Sequence, residues 1–263
     1  DGQAHVDKGY ILTHLKECFP WVDRITSYAR SHSLARLTDE NLVRIKEAGL
    51  NRIHVGLETG SDTLLKLIQK GCTKEMHVEA GIKVKQAGME LSEYVMPGLG
   101  GVNLLEEHAK ETADALNQID PHFIRLRTTM LPPGYELFNE SSDHEFVKAT
   151  DLQVLKEIRL FIENLQGITS TLKSDHMANL LQFVEGDFPG DKPNMLRIID
   201  DFFAMPREDQ VKFQVGRRFG FMLQPSNLKT EHLLERAETI CAQYGITAEN
   251  VDQIIDQVVQ RSM

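Results

Sequence analysis

The chain is punctuated in a repeating order: a small polar residue, an amphipathic stretch, a glycine, then a short run rich in β-branched residues. Thr38 precedes a stretch in which Leu42 and Ile45 share a face and which Gly49 stops. Ser61 or Asp62 opens a second, carrying Leu64, Leu65, Leu67 and Ile68 and ended by Gly71, and Thr73 opens a third, with Ala80, Val84 and Ala87 on one stripe before Gly88. Ser, Thr and Asp side chains satisfy free amides at a helix start, and glycine takes the left-handed conformation that closes a helix, so each stretch is a helix with both ends marked. The runs between them, 22–28, 52–57, 91–96 and 122–127, are predicted strands. A fourth helix over 104–118 runs into Asp120-Pro121, where proline disfavours helix for the residue before it. Strand and helix in alternation imply a parallel sheet with right-handed crossovers. Four such units, with a strand remnant at 1–5, fall short of the eight that close a barrel of about 250 residues. The expected fold is therefore α/β, a partial barrel or an open sheet.

After Met130 the segment LPPGYELFNESSDHE reads as a long loop, and a domain boundary is expected there: a core over 1–137 and a mainly helical region over 138–263. Within the latter, Leu152, Leu155, Ile158, Ile162 and Leu165 lie at helical spacing, closed by Gly167. One more short strand is expected at 168–172, and helices at 174–185, 193–204, 231–244 and 248–260. Twenty-nine basic against 39 acidic residues give a net charge of -10, which repels nucleic-acid backbones and anionic lipids. No apolar run reaches the roughly 20 residues that span a bilayer, and the first residues lack a signal-peptide order, so a cytoplasmic protein acting on a small molecule or peptide is expected. The abrupt start at Asp1 suggests that an N-terminal segment precedes it. Cys18, Cys72 and Cys241 stand far apart, and Cys72 and His77 read as an incidental pair.

Ligands of parallel α/β folds bind beyond the carboxyl ends of the strands, which directs attention to four places. In GLETGSD, Glu58 follows a predicted strand, and a carboxylate there can accept both hydrogen bonds of a ribose diol. The alternative reading is a tight turn with a helix cap. In MPGLGG, Gly98, Gly100 and Gly101 allow close backbone approach or serve a plain loop. In the fourth predicted strand Arg125 and Arg127 share a face and can grip a carboxylate or pair with Glu58 or Glu93. Asp175 and His176, with Asn179 one turn on, would sit at the same mouth as catalytic residues.

The runs RIHVGLETGSDTLLKLIQKGCT, AGMELSEYVMPGLGG and DPHFIRLRTTMLPPGYEL, in that order and spacing, resemble the middle and end of a radical S-adenosylmethionine (SAM) domain of the oxygen-independent coproporphyrinogen oxidase and Elongator-like branch. The resemblance covers 1–137 and implies a partial (β/α)6 barrel, TIM-like and truncated at its N-terminus. In that family a [4Fe-4S] cluster held by CxxxCxxC cleaves SAM reductively to a radical that abstracts a substrate hydrogen. The resemblance implies that Glu58 contacts the SAM ribose and that Gly98, Gly100 and Gly101 lie beside the adenine. The strand carrying Ile124, Arg125, Leu126 and Arg127 would flank the adenine, and Gly2 would belong to the motif holding the SAM amino group. No CxxxCxxC occurs in the 263 residues, so the cluster is expected in a longer parent and the chain itself is expected to be inactive.

Two other classes stand beside this reading. One is a non-catalytic barrel used as a binding or assembly module. The other is an aldolase-type barrel, which requires a lysine at a strand end; no predicted strand ends in one.

Overall fold

A computed structural model describes residues 8–131, 137 and 145–260. In chain order its elements are α1 (Lys8–Cys18), β1 (Ile25–Ala29), α2 (Ser31–Ala35), α3 (Asp39–Glu47), β2 (Leu50–Glu58), α4 (Asp62–Leu67), α5 (Lys74–Gln86), β3 (Glu90–Val95), α6 (Leu105–Ile119) and β4 (Phe123–Leu126). There follow α7 (Asp151–Asn164), β5 (Thr171–Lys173), β6 (Gly186–Asp187), α8 (Lys192–Ala204), α9 (Arg207–Arg218), α10 (Glu231–Tyr244) and α11 (Val251–Gln260). The sheet order is β1-β2-β3-β4-β5-β6, parallel through β5 and antiparallel at β6. Parallel neighbours in strict sequence order, joined by right-handed crossovers, place all connecting helices on one face; a doubly wound sheet would reverse its order part-way. The result is the partial barrel that the sequence implied.

The helix starts follow from side-chain caps. Thr38, Ser61, Thr73 and Thr150 each accept a hydrogen bond from the backbone two or three residues into α3, α4, α5 and α7. Strand alternation then sorts the two faces. Ile53, Val55, Leu91, Val95, Ile124, Leu126 and Leu172 pack against Leu42, Ala80, Val84, Leu116, Ile158 and Ile162 of the helices in one continuous core. A fully buried Leu or Ile in such a core contributes about 1.5–3 kcal/mol. The other face carries Tyr28 and His54 in register, and one step toward the carboxyl ends Gly56, Tyr94, Arg125 and Lys173. We call this the open face.

The sheet and its core run past residue 137: β5 pairs with β4, and Leu155, Ile162, Leu172 and Phe202 share the core with Leu57 and Leu91. The helix expected at 174–185 does not form. Asn179 is fully buried there, and its side chain donates to the Leu126 and Ser174 carbonyls and accepts from Thr128, so a side chain holds this backbone in turns. The strand expected at 168–172 appears at β5. It ends in Lys173, contrary to the expectation that no strand ends in lysine, and Lys173 lies 3.4 Å from Glu185. Residues 1–5, with the expected strand remnant and Gly2, lie outside the described residues.

The first βα turn of the GLETGSD segment is fastened to α6 by close packing. The Gly60 amide donates to Thr112 Oγ1 at 2.9 Å, and a Cβ on Gly60 would stand 2.3 Å from the Glu111 carbonyl oxygen. Backbone cannot yield as a flexible side chain can. Gly60→Ala is therefore expected to cost about 1–3 kcal/mol of unfolding free energy, read as a lower urea midpoint with an unchanged slope.

Candidate functional site at the carboxyl ends of the strands

Glu58 closes β2 with φ 63, a left-handed conformation uncommon for a residue with a side chain. The turn brings its carboxylate back over Gly56, where a Cβ would meet Glu58 Oε1 at 2.1 Å. Glu58 thus lies at the open-face end of its strand, and Lys70 Nζ donates to Oε1 at 2.9 Å. Such conformations cost on the order of 1–3 kcal/mol and persist where surrounding contacts enforce them.

The enforcing contacts come from α6 and α7. His108 Nδ1 is 2.6 Å from Glu157 Oε1, and His108 Nε2 is 3.1 Å from the Glu58 carbonyl oxygen. Both partners only accept, so both ring nitrogens donate and His108 is an imidazolium. Burial opposes that charge, but the Glu157 carboxylate and the Glu58 carbonyl outweigh it and raise the His108 pKa. Glu157 also accepts from the Gly98 amide, at 3.0 and 3.2 Å to its two oxygens. One buried ion pair therefore fixes the end of β2 and the turn after β3 together. The same turn is tied sideways by Met96 N donating to the Glu58 carbonyl at 2.9 Å. Its glycines are closely packed: Gly100 lies against Leu104, and a Cβ on Gly101, φ 57, would stand 2.5 Å from the Val147 carbonyl oxygen.

At β4, Ile124 and Leu126 are buried toward the helices, so only their backbone reaches the strand end, while Arg125 faces the open side. Arg127 Nη1 donates to Asp175 Oδ1 at 2.8 Å, and Arg125 Nη1 to Asp175 Oδ2 at 3.4 Å. The arginines thus meet Asp175 rather than Glu58 or Glu93. Hydrogen bonding from Arg127 lowers the Asp175 pKa against the opposing effect of burial, with both guanidinium charges helping. His176 stands beside this group; burial and then the Arg127 charge lower its pKa, and its Nδ1 is buried without a partner. The structure therefore brings Arg125, Arg127, Asp175 and His176 together, on the Asn179 scaffold.

Across the open face toward β1, Tyr28, His54 and Tyr94 form a wall of near-parallel rings, with centroids 5.1–6.0 Å apart and planes within 29°. None of these three, nor His108 or Glu157, stands out in the sequence. Glu93 lies on the helix-covered side, fully buried with Oε2 unpartnered, and burial pushes its carboxyl well above the usual range. Cys72 and His77 are not incidental neighbours: Cys72 Sγ is 3.0 Å from His77 Nε2, and His77 Nδ1 is 2.6 Å from Ser31 Oγ. Burial, followed by the Lys70 charge, lowers the His77 pKa to about 4. A cavity of about 260 Å³ adjoins this region, sharing Gly98 and Thr128 with it and bordered on its far side by Asp151, Val154, Arg218 and Asp252; Glu58, Tyr94 and Arg125 take no part in it.

Residues 7–116, which include the strand-end carboxylate and the glycine turn, match the Radical SAM superfamily. The match spans less than half of the chain. Among solved structures the chain is similar to the archaeal Methanocaldococcus infernus Elp3 with an N-terminal deletion, at 15% identity and TM-score 0.49 over 70% of this chain and 43% of that one. It is also similar to methylornithine synthase (PylB), at 17% identity and TM-score 0.41 over 75% and 62% of the two chains. HydG, a maturase of the [FeFe]-hydrogenase, matches at 12% identity and TM-score 0.44 over 99% and 69%. The chain thus spans less than two thirds of the Elp3 and PylB chains. No curated protein matches it.

The radical SAM match implies SAM and a [4Fe-4S] cluster as cofactors. The residues present do not fit the cluster: no CxxxCxxC occurs in the sequence, and no group of three His, Cys, Asp or Glu among the described residues is placed to hold a metal. They do fit a nucleoside. The Gly56 gap beneath the Glu58 carboxylate leaves an acceptor at the open face, and buried polar atoms of His54 and Arg125 lack partners there. No described helix is long and apolar enough to cross a membrane.

The His108–Glu157 pair gives a testable dependence on pH. An imidazole pKa raised by folding stabilises fully below the ordinary histidine value and loses that contribution as pH rises through the raised one. Glu157→Gln leaves a buried imidazolium without its counter-ion and is expected to cost about 3 kcal/mol near pH 6. The difference from the parent chain should shrink as the pH rises through the raised His108 value, where the parent chain loses the charge too. Chemical denaturation as a function of pH measures it.

Proposed function

We propose that this chain supplies the nucleoside-holding part of a radical SAM active site. Glu58 accepts the SAM ribose hydroxyls; the 96–101 turn and the backbone of Ile124, Leu126 and the adjoining Arg125 and Arg127 border the adenine. Gly2 would meet the amino group. The observation that carries this reading is the left-handed turn at Glu58, which brings a carboxylate over the side-chain-free Gly56 at the mouth of the sheet. The Gly98 amide is engaged by Glu157, so the glycine turn would border the adenine through its shape and remaining backbone groups.

When bound together in a complete site, SAM and a [4Fe-4S] cluster supply a carbon radical that takes hydrogen from substrate. This chain's own share is positional. Lys70 holds the Glu58 carboxylate in place, the His108–Glu157 pair holds its backbone, and Asp175 and His176 face a small-molecule or peptide substrate from β5 in a cytoplasmic setting. The alternative, a module that binds without catalysing, is favoured by the lack of a cluster-holding set among the described residues.

Equilibrium binding of SAM tests the proposal. Glu58→Ala is expected to weaken SAM by at least about tenfold, the loss of a charged acceptor of two hydrogen bonds, while His176→Gln leaves it unchanged. Unaltered SAM binding by Glu58→Ala would contradict the reading. Under reducing conditions the chain alone is expected to form no 5'-deoxyadenosine; its formation would contradict the placement of the cluster ligands outside this sequence.

A further inference from the structure

The open face carries a positive group in a chain of net charge -10. Arg125 and Arg127 share the single carboxylate of Asp175, itself about half exposed, so the trio keeps one positive charge. Arg125 is the less committed of the two. Among the described residues its one side-chain hydrogen bond is 3.4 Å long and its buried Nε has no partner, and its side chain is 20% exposed. Arg127 lies with its guanidinium 5.3 Å from the Tyr94 ring centroid. The histidines bordering this region, His54 and His176, both have their pKa lowered by burial and, after it, by arginine charge, which agrees with a positive local potential. Beside the arginines stands the wall of Tyr28, His54 and Tyr94, whose outer member Tyr28 is 72% exposed.

We propose that the side chains of Arg125 and Arg127 form an anion-binding subsite for the substrate, which carries a carboxylate or phosphate on a planar group that packs against the Tyr28–His54–Tyr94 wall. A guanidinium fork matches either oxyanion, and flat rings match a flat ligand. This assignment rests on the nucleoside reading above, which uses the backbone of this strand and leaves both arginine side chains to the substrate. The incoming anion replaces Asp175 on Arg125, a carboxylate for a carboxylate or phosphate, with no proton or electron transferred.

The probes are benzoate and phenyl phosphate, with acetate and benzylammonium as controls, titrated into the whole chain by calorimetry or nuclear magnetic resonance. Benzoate or phenyl phosphate is expected to bind saturably and at least about tenfold more tightly than acetate or benzylammonium, as charge and planarity together require. Whichever of the two binds more tightly names the oxyanion. Arg125→Gln is expected to weaken binding by about tenfold, and Asp175→Asn to strengthen it severalfold by removing the internal competitor. A gain cannot come from misfolding, so the second variant protects the test. SAM affinity is expected to be the same in Arg125→Gln as in the parent chain. Equal binding of the cationic and anionic probes, no saturation by either anion, or indifference to both substitutions would overturn the subsite. Loss of SAM binding in Arg125→Gln would assign the arginines to the cofactor and overturn it too, leaving the Glu58 proposal standing. Anion binding without any SAM binding would instead defeat the nucleoside reading and leave the subsite intact.

Discussion

Two buried charges on neighbouring helices, His108 and Glu157, touch the backbone of two different strand ends. Their pairing spans the crossovers: His108 comes from α6 and Glu157 from α7, yet what they hold are the Glu58 carbonyl after β2 and the Gly98 amide after β3. A barrel of this kind is stabilised mainly by apolar contacts between helices and strands, and those contacts fix layers more firmly than they fix loops. The ion pair extends that rigidity beyond the last strand residues. It sets the height of the glycine turn relative to the Glu58 carboxylate, and with it the shape of the mouth. Burying two charges is costly unless each is fully hydrogen-bonded, and here the imidazolium has two acceptors and the carboxylate has two donors.

The same sheet carries different chemistry on its two faces. Toward the helices, Ile53, Leu91, Ile124 and Leu172 join one apolar core, and Glu93, a buried acid on that side, is forced toward its neutral form. Away from the helices the residues in register are aromatic, basic or missing a side chain: Tyr28, His54, Gly56, Tyr94, Arg125 and Lys173. Glu58 and the arginines fall two strand spacings apart, about 10 Å, with Tyr94 between them. A ligand spanning that row meets an acceptor at one end and donors at the other.

Much of this fold could be read from the sequence where the local signals agree with the tertiary ones. Thr38, Ser61 and Thr73 cap the helices they were expected to cap, and the first four strands fall close to their expected places. Reading failed where local patterns conflict with burial. α9 shows no amphipathic stripe in the sequence, since Val211, Phe213 and Val215 alternate as in a strand while the helix is buried around much of its circumference, with Gly216 against Met222. The turns at 174–185 carry a helix-like pattern locally, because the hold of Asn179 on three backbone groups, two of them at the end of β4, depends on that strand lying alongside. At the site, Glu58, Asp175 and His176 stand out by their positions after predicted strands, and Arg125 and Arg127 by sharing one face of a strand. His108 and Glu157 do not, since each occupies an ordinary helical position and their meeting, 49 residues apart, is a product of packing.

The account centres on a nucleoside held at the carboxyl ends of β2, β3 and β4. An amide chemical-shift map of the chain titrated with SAM tests this most directly. The account predicts shifts concentrated in residues 56–60, 96–101 and 124–127; shifts at Asp151, Arg218 and Asp252, whose cavity shares Gly98 and Thr128, without any at 56–60, or no shifts anywhere, would contradict it.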